Sequence, residues 1–143
     1  MARVNKVVEL NEAMQRVTPG TRLMMGEFVG AGEPAKCIQW LLERRIDRLT
    51  LIANTPGMRG GFLKAKLFEQ AQIEEFIGTH IGTTEESTSQ YLTGSLKLAE
   101  FFPMGTWAEK VRAGANFFRP RTHGEKLDRK STRLNSSHAN ISY

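Results

Sequence analysis

The sequence holds one cysteine, Cys37, so neither a disulfide scaffold nor a cysteine-built zinc site can organise it. It has no apolar run near the roughly 20 residues that cross a bilayer. Its first residues, Met1 to Lys6, lead into no apolar stretch or cleavage site of a secretory signal. Aromatic residues are 8% of the chain, and Phe101, Phe102 and Trp107 lack the interleaved cations of a base-stacking platform, so core or interface is their expected place. What is present is a 143-residue chain, 40% apolar, which suffices for a core and argues against wholesale disorder. A cytoplasmic protein without membrane or metal site is the expectation. Lys and Arg number 20 against 15 Asp and Glu, and the resulting charge of +5 raises a basic nucleic-acid-binding module as one reading.

Apolar periodicity alternates strands with helices. An extended piece at Lys6 to Leu10 leads into a helix over Asn11 to Arg16 with Asn11 as its N-cap, stopped by Thr18-Pro19-Gly20. Thr21 to Gly26 reads as a buried strand, and Pro34 as the first residue of a helix running to about Arg45, because proline has no N–H to lose there. That helix carries Cys37, Ile38, Leu41 and Leu42 on one face, where Cys37 reads as a small core residue and not a nucleophile. A strand at Leu49 to Ala53, a helix at Phe62 to Gln70, a strand at Ile73 to Gly78, a helix at Thr84 to Leu92, a strand at Leu96 to Phe102 and a helix from Thr106 continue the series. The fold class this predicts is α/β, a mostly parallel sheet with helices on both faces. Ligands of such sheets sit at the carboxyl ends of the strands, after Gly26, Ala53, Gly78 and Phe102.

The first of those loops, Gly26-Glu27-Phe28-Val29-Gly30-Ala31-Gly32-Glu33-Pro34, follows a strand and opens a helix, where backbone N–H groups are free for an anion. Its glycines let the main chain turn tightly and approach a ligand, although a bare strand-to-helix connection would use them too. Gly30-x-Gly32-x-x-Ala35 also fits a dinucleotide fingerprint, so a nucleotide-binding α/β domain is a further alternative. Against it, Pro34 interrupts the first helical turn, and the next strand ends in Asn54 and Thr55 where a ribose-binding acid is needed.

The run Thr21-Arg22-Leu23-Met24-Met25-Gly26-Glu27-Phe28-x-x-x-Gly32-x-Pro34 resembles the signature loop of the family I coenzyme A transferases, in their alpha chain. Four more stretches match in order: Asp47 to Asn54, Thr79-His80-Ile81-Gly82-Thr83, Gln90-Tyr91-Leu92-x-Gly94, and Pro103-x-Gly105-Thr106-x-Ala108-Glu109-x-Val111-Arg112-Ala113-Gly114. Within the family the resemblance is best to short-chain types acting on acetate, butyrate or acetoacetate, in fatty-acid and ketone-body metabolism. It implies a CoA-transferase-like open α/β fold, incomplete at the C-terminus.

The resemblance further implies a ping-pong exchange of coenzyme A, a substrate and not a resident cofactor, between carboxylic acids. The nucleophile is a glutamate of the beta subunit, in a Ser-Glu-Asn-Gly motif that this chain lacks. No catalytic residue is therefore expected here, and the chain is expected to be inactive without a beta partner in a hetero-oligomer. The loop Gly26, Glu27, Phe28, Val29, Gly30, Ala31, Gly32 would line the CoA site, where backbone donors aimed at an oxyanion lower a barrier by about 3 kcal/mol each. Asn54, His80 and Met104 would line the substrate pocket. From the residues alone Asn54 could equally form an Asx turn, and His80 could pack at a strand end against backbone. Glu33, Glu85, Glu86 and Glu109 fall at helix starts or on helix faces, where a carboxylate is solvated or pairs with the dipole. Three departures stand out: Glu27 replaces a usual second glycine, Met104 a common glutamine, and Pro19 an Asp or Asn.

The resemblance spans about residues 5–114, which sets residues 1–118 as a partial alpha-chain domain, and decays across residues 119–127. Codons can be chosen for Asp128 to His138 that spell a common sequencing-library adapter, whose continuation gives Ala139 to Tyr143. Residues 128–143 are thus expected to be a translated adapter joined to a truncated reading frame, the alternative being a disordered basic tail. Residues 128–143 hold three Lys or Arg and one acid, and residues 119–127 three and one. Without them 14 basic residues face 13 acids. The +5 therefore says little about what the domain binds.

Overall fold

The computed structural model describes residues 7–58, 60 and 62–117. Residues 118–143, and with them the expectations for 119–127 and 128–143, lie outside the described residues. Residues 1–104 form one unit, and those from 105 onward belong to a second, described by itself.

The chain runs through α1 (Leu10–Met14), β1 (Arg22–Met25), α2 (Ala35–Arg44), β2 (Leu49–Ala53), α3 (Leu63–Glu69), β3 (Ile73–Gly78), α4 (Glu85–Thr93), β4 (Lys97–Phe101) and α5 (Met104–Phe117). The four strands form one sheet in the order β1-β2-β3-β4, every pair parallel. The expected α/β class and parallel sheet are both present. Strands laid down in sequence by crossovers of one hand place their connecting helices on one face. Accordingly α2 packs on α3 and α3 on α4.

Registry shows why that face holds the core. Leu51 pairs with Phe76 and Leu49 with Ile73, all buried. Ile38 and Leu41 of α2 and Leu67 and Phe68 of α3 complete the cluster, with the Phe68 and Phe76 rings edge to face at 6.0 Å. The alternate residues form two rows on the other face. Met24, Ile52 and Ile77 make an apolar row, and Arg22, Thr50, Glu75 and Lys97 a polar one in which Glu75 pairs with both cations.

Local chemistry sets most boundaries. Thr84 caps α4, its hydroxyl accepting the Ser87 N–H at 3.2 Å, and Gly94 ends it in the left-handed conformation. Buried Gln72 donates from Nε2 to the carbonyls of Leu41 and Ile46 where α2 ends. Pro34 sits one residue before α2, not in its first turn. Asn11 does not cap α1, which starts at Leu10 after Glu9; its Oδ1 accepts the Trp40 indole N–H at 3.0 Å and ties α1 to α2. Trp40 is buried, with the Arg44 guanidinium 4.2 Å from its ring centre. Cys37 is half-buried beside the core. Phe101 is exposed and Phe102 half-buried, so Phe101 is not the core residue expected. In α5 the Arg112 guanidinium pairs with Glu109 one turn earlier. No helix among the described residues is long and apolar enough to cross a membrane.

Candidate active site at the carboxyl edge of the sheet

Three of the four strands end in residues tied to one another. Asn54 follows β2, and its carbonyl accepts both the N–H and the hydroxyl of Thr79 beyond β3, each at 3.0 Å. Phe102 beyond β4 donates its N–H to Gly78 at 3.0 Å. At the fourth, Met25 pairs with Ala53, which sets Gly26 and the start of the glycine loop beside Asn54.

The loop turns on itself. Phe28 and Ala31 exchange backbone hydrogen bonds of 3.1 and 2.9 Å around Val29 and Gly30, whose φ angles are +54° and +99°. Positive φ at both central residues defines a tight two-residue hairpin turn, a conformation β-branched residues rarely adopt, so Val29 is held there under strain. Gly32 is also left-handed, at +83°. The Glu33 N–H returns to the Gly30 carbonyl at 3.2 Å and leads into α2.

Two carboxylates fix this loop to α3. Glu33 accepts the Leu63 N–H at 2.7 Å and the Lys64 N–H at 3.1 Å, so it satisfies orphan donors at the start of α3, not of α2 where the sequence places it. Glu27 turns inward: one oxygen accepts the Gly30 N–H, and the other meets the Lys64 ammonium. Both of these side chains are fully buried. Burial holds the Lys64 pKa below its ordinary value of 10.5, although Glu27 and, more weakly, Glu33 pull it up. The departure at Glu27 therefore adds no exposed negative charge to the loop, because Lys64 neutralises it beneath the backbone.

With the N–H groups of Phe28, Gly30, Ala31 and Glu33 engaged, those of Val29 and Gly32 have no acceptor among the described residues. They are the donors left for an incoming anion. Phe28 is exposed, as are Gly26, Ala31 and Gly32.

Asn54 is buried and donates from Nδ2 to the Met104 sulfur at 2.8 Å, while its Oδ1 takes no hydrogen bond. Two of the three expected pocket residues thus come together. His80 does not join them: it is exposed two residues past β3, lies over Gly82 and makes no hydrogen bond among the described residues. The expected backbone bond is missing because the chain has already left the sheet at Gly78. Lys64 is the residue sequence reasoning missed; a lysine on a short amphipathic helix gives no sign that its partner is 37 positions away in a glycine loop. A depression of about 270 Å³ lined by Asp47, Arg48, Ala71, Ile73, Gln90 and Ser95 lies at the amino ends of the strands, away from this loop cluster.

Comparison with known proteins agrees with this geometry. Residues 7–117 match the coenzyme A transferase family. The chain is 39% identical over 98 residues to one of the two subunits, the alpha-type one, of the succinyl-CoA:3-ketoacid coenzyme A transferase of Xanthomonas campestris, covering 68% of this chain and 40% of that one. It is 32% identical over 114 residues to the probable coenzyme A transferase alpha subunit of Bacillus subtilis, covering 80% and 49%. With the acetate CoA-transferase alpha subunit of Escherichia coli the identity is 30% over 109 residues, covering 76% and 49%. The chain spans about half the length, or less, of these relatives. By the match over residues 7–117, it belongs to the coenzyme A transferase family.

Proposed function

We propose that this chain supplies the glycine-loop part of the alpha subunit of a coenzyme A transferase and works with a beta subunit that carries the nucleophilic glutamate. Its substrates in this reading are acyl-CoA and short-chain carboxylic or 3-oxo acids, exchanged in the cytoplasm within a hetero-oligomer. Relatives named as one subunit of a pair support the division of labour, and the names of two of them support the substrate class.

The observation that carries the proposal is the braced loop beside Asn54, with the Val29 and Gly32 N–H groups left over at the carboxyl edge of a parallel sheet. In the reaction, the partner's glutamate carboxylate adds to the thioester carbonyl and expels the CoA thiolate, leaving an acyl-glutamyl anhydride. The thiolate then adds to the glutamyl carbonyl and releases the first acid as its carboxylate, leaving a glutamyl-CoA thioester. A second carboxylate reverses both steps and leaves as its CoA ester. Each addition places negative charge on a carbonyl oxygen. Fixed N–H groups meet that charge without reorganising, a contribution of about 3 kcal/mol per donor. Asn54 would hydrogen-bond the acid.

The test is exchange by this chain co-expressed with a beta subunit. Transfer of labelled CoA from acetoacetyl-CoA to acetate, absent when either chain is omitted, is the expected result. An assembled pair that binds acyl-CoA but transfers nothing would contradict it.

A further inference from the structure

We propose that Lys64 is a positioning residue for the glycine loop, acting through Glu27 to fix the Gly30 amide and thereby the turn that presents the Val29 and Gly32 N–H groups. The inference deepens the proposed function and rests on it for the identity of the anion; the ordering of the loop stands on geometry alone.

The argument begins with what a buried carboxylate needs. Glu27 has no water around it, and its two oxygens meet Gly30 N–H and the Lys64 ammonium. Remove the ammonium and an unpaired charge remains under the loop, which must move to reach water. Remove the carboxylate and the Gly30 N–H loses its acceptor at the position where φ is +99°. Gly30 cannot shift toward α3 to compensate, because the Phe62 ring fills the space beneath it. Lys64 lies in the first turn of α3, whose Leu63 and Lys64 N–H groups are held by Glu33 at the loop's other end. The loop is therefore clamped at both ends to the start of one helix, and the ammonium sets the position of the middle. Without the clamp, a turn carrying a left-handed valine has cheaper conformations to adopt.

An ion pair that only stabilises and one that positions respond differently to charge reversal. Exchanging the partners, Glu27→Lys with Lys64→Glu, restores opposite charges but leaves no acceptor for Gly30 N–H. Amide hydrogen exchange on the full chain, read on the peptide covering residues 26–33 and on peptides from β2 and β3, separates the two. In Lys64→Met, and in the neutral pair Glu27→Gln with Lys64→Met, the loop peptide is expected to exchange about tenfold faster or more while the strands stay protected. The reversed pair is expected to keep the strands protected and the loop fast. Recovery of loop protection in the reversed pair, equal acceleration of loop and strands, or loss of folding in every variant would assign the pair to stability alone and overturn the proposal. The functional arm is titration of CoA into the chain assembled with a beta subunit. Wild type that binds CoA with a Kd raised about tenfold in the neutral pair supports the proposal. An unchanged Kd beside a fast loop overturns the link to the anion. Wild type that binds no CoA counts against the proposed function, and the exchange data still decide what Lys64 does.

Discussion

The Phe62 ring occupies the space a side chain on Gly30 would need: a β-carbon built there meets the ring at 2.4 Å. Gly30→Ala must push the ring aside and hold alanine at a φ of +99°, so a loss of about 2 kcal/mol is expected. Phe62→Ala in the same chain should relieve the overlap but not the dihedral strain, recovering part of the loss. Urea denaturation of the four chains of the cycle checks this, and a full recovery would show that the dihedral costs nothing.

Val29 precedes Gly30 in the same turn at a φ of +54°, where asparagine is favoured and valine is not. Val29→Asn is expected to stabilise the chain by about 1 kcal/mol. A decrease in the denaturation midpoint would mean that valine's packing outweighs its strain.

Glu33→Gln retains one acceptor and Glu33→Ala none for the Leu63 and Lys64 N–H groups. By analogy with an N-cap, the alanine variant should lose about 1 kcal/mol and the glutamine variant less. The loss should appear as faster exchange in the first turn of α3 with α4 unchanged.

Met104→Gln sets an amide against Asn54, offering an acceptor to Nδ2 and a donor to the Oδ1 that now takes no bond. The variant is expected to gain about 1 kcal/mol and to slow exchange at β2. Met104→Leu, which removes the sulfur acceptor, is expected to lose a similar amount, and identical midpoints for the two variants would contradict this.

Stability should also carry the signature of Lys64. Its folded pKa lies below 10.5 because burial disfavours the ammonium. Between that folded value and 10.5 the unfolded chain holds the proton that the folded chain has given up, so stability from this group rises with pH. The cost of burying the ammonium is thus borne below the folded pKa and relieved above it. Urea denaturation from neutral pH to about pH 10.5 should show wild type gaining on Glu27→Gln with Lys64→Met, and a constant difference would contradict it.

Much of the fold was legible in the sequence because it is written in short-range pattern. β2 and β3 fall at the residues expected, where apolar runs are bounded by Asp47-Arg48 and by Gly78, and α4 begins after a threonine whose hydroxyl caps it. Elements failed where a side chain found a distant partner: Asn11 reads as a cap but serves Trp40, and Glu33 reads as the start of α2 but serves α3. The same cause hid the brace under the glycine loop. A glycine pattern locates the turn, whereas the burial of Glu27 depends on the crossover that brings Lys64 beneath it. Asn54 and Met104 were found through the resemblance, but their mutual hydrogen bond follows only from β2 and the end of β4 closing on one edge.

The central claim, that this chain presents a loop to a reaction completed by another subunit's glutamate, is tested most directly by intact-mass measurement of an assembled pair after mixing with acyl-CoA. The account predicts a CoA-sized adduct on the beta subunit, formed only when this chain is present and removed by adding an acceptor carboxylate. An adduct on this chain, or an acyl-CoA-binding pair that forms none, would contradict it.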